Sequence, residues 1–80
     1  MQNWFVYILK SEKDRKTYCG STNDLTRRID QHNKGYVKST KNRRPLTIFY
    51  KEEYNTEADA RKRERYFKSA SGRKFLAKLF

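Results

Sequence analysis

Trp4-Phe5-Val6-Tyr7-Ile8-Leu9 is the longest unbroken apolar run in a chain whose residues are 36% charged. Six β-branched, aromatic and aliphatic residues are too few for a stable helix. The run therefore reads as a strand buried on both faces. Lys16–Thr22 reads as a second strand, with Thr17, Cys19 and Ser21 alternating against Tyr18 and Gly20. Between the two lies Ser11-Glu12-Lys13-Asp14-Arg15-Lys16, which has turn composition and no apolar side chain, so an antiparallel hairpin is expected. Gly20 removes a side chain beside Tyr18. Two readings of it stand level: room for another group to approach closely, or a bulge.

The next segment predicts a helix capped by Asn23, with Asp24 in its first turn and Gly35 past its end. At about 100° per residue, Leu25, Ile29 and His32 share a stripe with Arg28 on its edge, while Arg27 faces solvent. Arg28 is thus the arginine positioned to reach back over the hairpin. Taken singly, His32 reads as a half-buried histidine and Arg28 as a core-edge arginine. Lys34–Pro45 has no apolar periodicity and carries Lys34, Lys38, Lys41, Arg43 and Arg44. Its composition suits phosphate contacts, and equally a solvated charge run.

Leu46–Tyr50 predicts a third strand, fading through Lys51–Tyr54. Thr56 is the expected N-cap of a second helix, with Glu57 and Asp59 in its first turn, running to about Lys68. Ala60 and Phe67 mark its apolar face, and Glu64 falls on the same strip. A carboxylate there needs a partner, because burying it unpaired is costly. An ion pair with Arg61 or Lys68 is the ordinary answer. Ser69-Ala70-Ser71-Gly72 should break the helix, and Arg73–Phe80 should form a short terminal one with Phe75, Leu76, Leu79 and Phe80 at core spacing. The expected fold is α+β: a small three-stranded antiparallel sheet flanked by helices.

Eighty residues suit one domain spanning 1–80. A chain of this size buries only about 60–65% of its unfolded surface, so its aromatics must supply much of the core. One cysteine excludes an intrachain disulfide framework and suits a reducing compartment. No apolar stretch approaches membrane-spanning length, and the N-terminus enters a strand without a signal-peptide layout. A cytoplasmic location and no membrane partner are therefore expected. Twenty Lys and Arg stand against nine Asp and Glu, a net charge of +11. Such a surface attracts a polyanion, most simply nucleic acid. Charge alone does not separate a binder from an enzyme.

Val6-Tyr7-Ile8 and Tyr18-Cys19-Gly20, with eleven residues from tyrosine to tyrosine, resemble the paired signature of the GIY-YIG nuclease superfamily. Arg28, ten residues past the second tyrosine, falls where that family keeps its catalytic arginine. Ala60–Lys68, followed by Ser71-Gly72-Arg73, resembles the helix carrying the family's metal-binding glutamate. Small single-domain bacterial members, related to the N-terminal nuclease domain of the excision-repair incision subunit, share this layout over essentially the whole chain. Val6 replaces the first-motif glycine and Cys19 the isoleucine of the second motif. Leu76 stands where many members carry an asparagine, and Ser69, Ser71 and Arg73 are the nearest polar groups.

The resemblance implies phosphodiester hydrolysis with one divalent cation, Mg²⁺ or Mn²⁺, held by Glu64. It implies that Arg28 donates to nonbridging phosphate oxygens, that Tyr7 accepts the proton of the attacking water and that Tyr18 orients water or phosphate. His32 could relay a proton or touch a phosphate. For Tyr7 to act as a base, nearby cations should favour its ionised form. Lys34, Lys38, Lys41, Arg43, Arg44 and Arg73 are the candidate nucleic-acid contacts, with DNA expected ahead of RNA. With no sequence-recognition domain in this chain, a protein partner could supply specificity. The alternative is a nucleic-acid-binding module of the same fold with little or no activity.

Overall fold

In the computed structural model, which describes residues 3–79, the apolar run becomes the middle strand of a three-stranded sheet ordered β2-β1-β3. β1 (Trp4–Ser11) pairs antiparallel with β2 (Thr17–Thr22) on one side and β3 (Leu46–Tyr54) on the other. Its side chains alternate between two cores. Val6 and Ile8 pack with Ala60, Phe67 and Leu76, whereas Tyr7 and Leu9 pack with Leu46 and the half-buried Leu25 and Ile29. Helices α2 (Glu57–Phe67) and α3 (Ala70–Ala77) cover the first face, and α1 (Leu25–Asn33) covers the second. That arrangement explains why four consecutive residues, Val6–Leu9, are all buried. The α+β architecture matches the expectation. No helix among the described residues is long and apolar enough to cross a membrane.

The hairpin turn is organised by Ser11, whose buried hydroxyl accepts from the Lys13 and Asp14 backbone N–H groups. The same hydroxyl donates to the Arg43 carbonyl at 2.6 Å and so ties the basic loop to the turn. That loop is less free than its composition suggests. Lys41–Arg43 forms a 3₁₀ turn, and Thr40 is fully buried. The Asn33 side chain closes the loop's base, accepting from Leu46 N–H at 2.8 Å and donating to Leu46 C=O at 2.9 Å.

Three boundaries differ from expectation, each for a local reason. The cap of α1 is Asp24, not Asn23: the Thr22 hydroxyl accepts from Asp24 N–H, and the Asp24 carboxylate then accepts from Arg27 N–H. Thr56 caps α2 as expected. Lys68 and Ser69 break the helix for two residues, and Ser69 caps α3, accepting from Gly72 N–H, so α3 starts at Ala70 rather than Arg73. Within α3, Leu76 is buried and Phe75 half-buried, Leu79 is 42% exposed just beyond it, and Phe80 lies outside the described residues. β3 continues at full pairing to Tyr54. Its far end carries Glu52, which accepts from the Tyr50 and Tyr54 hydroxyls and from two nitrogens of Arg63 on α2. The Arg63 guanidinium also lies over the rings of Tyr66 and Phe67, at 4.4 and 4.7 Å.

Candidate active site at the β2 edge

β2 is an edge strand, and a cleft of about 350 Å³ opens across it where the two faces of the sheet meet. Tyr7, Tyr18 and Arg28 line it from the α1 side, and Glu64, Arg61 and Arg65 from α2, with Gly20 and Ser21 between them. Four elements, widely separated in sequence, therefore deliver two phenols, a guanidinium and a carboxylate to one place.

Gly20 lies directly across the ladder from Tyr7 in unbroken β1–β2 register, which removes the bulge reading. A Cβ at residue 20 would fall 2.5 Å from the Tyr7 hydroxyl oxygen. The glycine is there because the Tyr7 phenol passes over it toward the cleft. The ring is 1% exposed, and its hydroxyl accepts from Arg28 Nε at 3.4 Å and lies 3.2 Å from His32 Nε2. Arg28 also donates to the Gln31 side chain at 3.2 Å. Tyr18 packs edge-on against the His32 ring, with centroids 5.0 Å apart. Arg28 and His32 thus sit as their helical phase requires, one turn apart on the inner edge of α1.

His32 is fully buried, and its Nδ1 lies 2.8 Å from the Thr40 hydroxyl, itself 3.4 Å from the Val37 carbonyl. Burial first, and then the neighbouring Arg28 charge, push the imidazole down to about 4, so it is neutral at pH 7. The Thr40 and Tyr7 hydroxyls each face one ring nitrogen of the neutral imidazole, so one nitrogen donates and the other accepts. Tyr7 itself departs from expectation. Arg28 does favour the phenolate, but burial outweighs it, and the Tyr7 pKa is raised above the usual phenol value. Tyr7 is a protonated, hydrogen-bonded phenol at neutral pH.

Glu64 has both carboxylate oxygens engaged: Oε1 accepts from the Ser21 hydroxyl at 2.6 Å and Oε2 from Lys68 Nζ at 2.8 Å. Burial alone would raise its pKa. The bonds from Lys68 and Ser21 prevail and hold it below the usual carboxylate value. Arg61 is the wrong partner, being paired to Glu57 at 2.7 Å. Cys19 lies beside the Glu64 backbone, and burial followed by the Glu64 charge pushes its thiol up to about 12, which leaves it unreactive at neutral pH. Among the described residues no group of three or more His, Cys, Asp or Glu gathers that could cage a metal. One carboxylate at the mouth of an open, arginine-lined cleft instead fits a hard divalent cation. Such an ion keeps most of its waters and shares its remaining positions with substrate phosphate.

Residues 3–77 match the profile of the GIY-YIG catalytic domain. The chain belongs to the GIY-YIG family. It is 41% identical over 73 residues to the UPF0213 protein YazA of Bacillus subtilis strain 168, covering 90% of this chain and 73% of that one. It is 40% identical over 77 residues to a UPF0213 protein of Staphylococcus aureus strain Mu3, covering 95% and 93%. The solution NMR structure of the UPF0213 protein BH0048 from Bacillus halodurans superposes with a TM-score of 0.58 at 31% identity, over 96% of this chain and 84% of that one.

Within the GIY-YIG signature positions, Val6 is a buried core residue and Cys19 packs against the same cluster. Leu76, at the asparagine position, also points into that core. Of the polar groups near it, Ser69 is committed to capping α3, whereas Ser71 and Arg73 are exposed. Arg73 lines a neighbouring cleft with Lys68 and Tyr18 rather than the principal one. The loop cations divide as well. Arg43 is held by Asp14 at 3.1 Å and by the Thr17 carbonyl at 3.3 Å, and Lys34 pairs with Asp30 at 2.8 Å. Lys38, Lys41 and Arg44 are exposed. Sequence reasoning missed Thr40, Ser21, Arg61 and Arg65 as parts of the site. Ser21 was within reach, since it shares a strand face with Cys19, two residues away; Thr40 sits in a loop with no periodicity to expose it.

Proposed function

We propose that this chain is a divalent-cation-dependent phosphodiesterase acting on nucleic acid, with DNA the favoured substrate, and that residues 1–80 act as one nuclease domain without their own sequence-recognition element. The observation that carries this reading is the convergence of Arg28, Tyr7, Tyr18 and Glu64 on a single cleft flanked by two further arginines. Glu64 would hold a Mg²⁺ or Mn²⁺ ion, which would supply Lewis-acid stabilisation of negative charge on the leaving side. Arg28, with Arg61 and Arg65 at the cleft wall, donates to the nonbridging oxygens, where negative charge builds in the transition state. Tyr18 orients the attacking water.

Because Tyr7 is protonated at rest, it works as a relay rather than a resident phenolate. The attacking water gives its proton to the Tyr7 oxygen as Tyr7 releases its own to solvent at the cleft, with neutral His32 holding the phenol in place. The water oxygen bonds to phosphorus as the bond to the departing oxygen breaks. Solvent protonates the departing oxygen. Thr40, bonded to the far ring nitrogen, holds His32 against the Tyr7 hydroxyl.

The test is a cleavage panel of plasmid, branched and single-stranded DNA, together with RNA, in Mg²⁺ or Mn²⁺. Cleavage is expected to fall by two orders of magnitude or more (~10²-fold) in Glu64→Gln and Arg28→Ala. Cleavage on no substrate above the Glu64→Gln background overturns the reading. The buried Leu76 in place of a polar residue favours a second one, a binding module of weak activity. That module would show salt-sensitive nucleic-acid binding that survives both substitutions.

A further inference from the structure

Lys68 is the residue of the site that the proposed chemistry leaves unused, and its position creates a conflict. Its ammonium donates to Glu64 Oε2 at 2.8 Å, on the carboxylate assigned to the cation. The other oxygen faces the Ser21 hydroxyl at 2.6 Å. A hydroxyl has lone pairs and can turn to accept, but an ammonium has none. Two positive centres cannot share one carboxylate oxygen at contact distance without strong repulsion. A divalent cation that takes Oε2 displaces Lys68 outright, and one on Oε1 still repels the ammonium a few ångströms away. Cation binding disfavours the Lys68 contact either way.

There is somewhere for it to go. Lys68 is the C-cap residue of α2, and its side chain is 54% exposed while that of Glu64 is 21% exposed. Lys68 also lines a second cleft with Arg73, Thr17 and Tyr18. Tyr18 lines both clefts and so separates them by one ring. A lysine released from Glu64 beside Arg73 makes a dication, and the group that balances it in a protein of this charge is a phosphate.

Resting on the nuclease reading above, we propose that Lys68 is the resident counter-ion of the cation site. In the metal-free protein it neutralises Glu64; when a divalent cation binds, it is released across Tyr18 to hold, with Arg73, a backbone phosphate next to the scissile one. Cation and polyanion binding are then mutually reinforcing through this one side chain.

Two measurements test this. In ¹⁵N–¹H spectra, Mn²⁺ broadening of amides around Glu64 reports cation affinity without any turnover. Lys68→Gln is expected to tighten Mn²⁺ by roughly two- to fivefold, the scale of an exposed ion pair, and Glu64→Gln to abolish the site-specific broadening. In the second measurement, the anisotropy of a labelled single-stranded oligonucleotide is read with Ca²⁺ and with chelator. Lys68→Gln should weaken binding in Ca²⁺ and leave it unchanged in chelator, where Lys68 is already occupied by Glu64. Equal or weaker Mn²⁺ affinity in Lys68→Gln, or the same loss of binding with and without Ca²⁺, overturns the inference and leaves the nuclease reading standing. Absence of any Glu64-dependent broadening in wild type and Lys68→Gln alike overturns the cation assignment, and the inference with it.

Discussion

A fully buried histidine one hydrogen bond from a buried tyrosine makes protonation at residue 32 a matter for the whole protein. In the unfolded chain His32 takes up a proton near its ordinary value of 6.5, whereas in the folded chain it does so only near 4. Between those values the unfolded state holds more protons, so stability rises with pH and is lost as pH falls from 6.5 toward 4. Urea unfolding of the wild type should therefore weaken by about 2–3 kcal/mol across that window. His32→Asn should lack that part of the slope and, by leaving the Tyr7 hydroxyl without its buried partner, should also lower cleavage. The phase of Arg28 and His32 on α1 was legible in the sequence because helical periodicity needs nothing but spacing. Gly20 was ambiguous until the ladder register set it under the Tyr7 hydroxyl. The pKa of Tyr7 was not legible at all: net charge argues for a phenolate, and only the depth of the ring shows that burial wins.

At the scale of elements, periodicity and capping chemistry marked out every strand and helix, and tertiary hydrogen bonds moved their ends. Thr22 shifts the start of α1 by one residue, and Ser69 turns an expected break into a cap. The tie between β3 and α2 was hidden because Glu52 and Arg63, which make it, each look like surface charges on their own element. In the folded chain Glu52 accepts from two tyrosines and from two nitrogens of one arginine, while that arginine lies over aromatic rings. Glu52→Gln removes the charge and replaces one acceptor with a donor among four donors. It should lower stability by about 1–3 kcal/mol in chemical denaturation. Cation affinity at Glu64, on the α2 face toward β2, should stay within a factor of about two, because residues without shared partners act independently.

For the molecule as a whole, the charge of +11 is not one uniform cloud. Arg43 stitches the loop to the hairpin turn and Lys34 is paired within its helix region, while Lys38, Lys41 and Arg44 stand out from the surface. Binding of a labelled duplex, followed from low to moderate salt, should therefore respond differently at these positions. Gln in place of Lys38, Lys41 or Arg44 should each flatten the salt dependence by up to roughly 0.9 in log–log slope, if the residue contacts a phosphate. Arg43→Gln should instead show itself as a loss of stability, with little change in slope.

β1 carries Tyr7 toward one helix layer and Val6 and Ile8 toward the other, and it pairs on both sides. An isolated hairpin of this kind is marginal in water. Tyr7 is seated only once β3 and both helix layers have closed around the strand. As the chain is made, its first half already carries both tyrosines and Arg28, while Glu64 is still to come. The two phenols, the guanidinium and the carboxylate meet only when α2 closes on the sheet, so the cleft is assembled last. The topology leaves no shorter version of the chain with an assembled cleft.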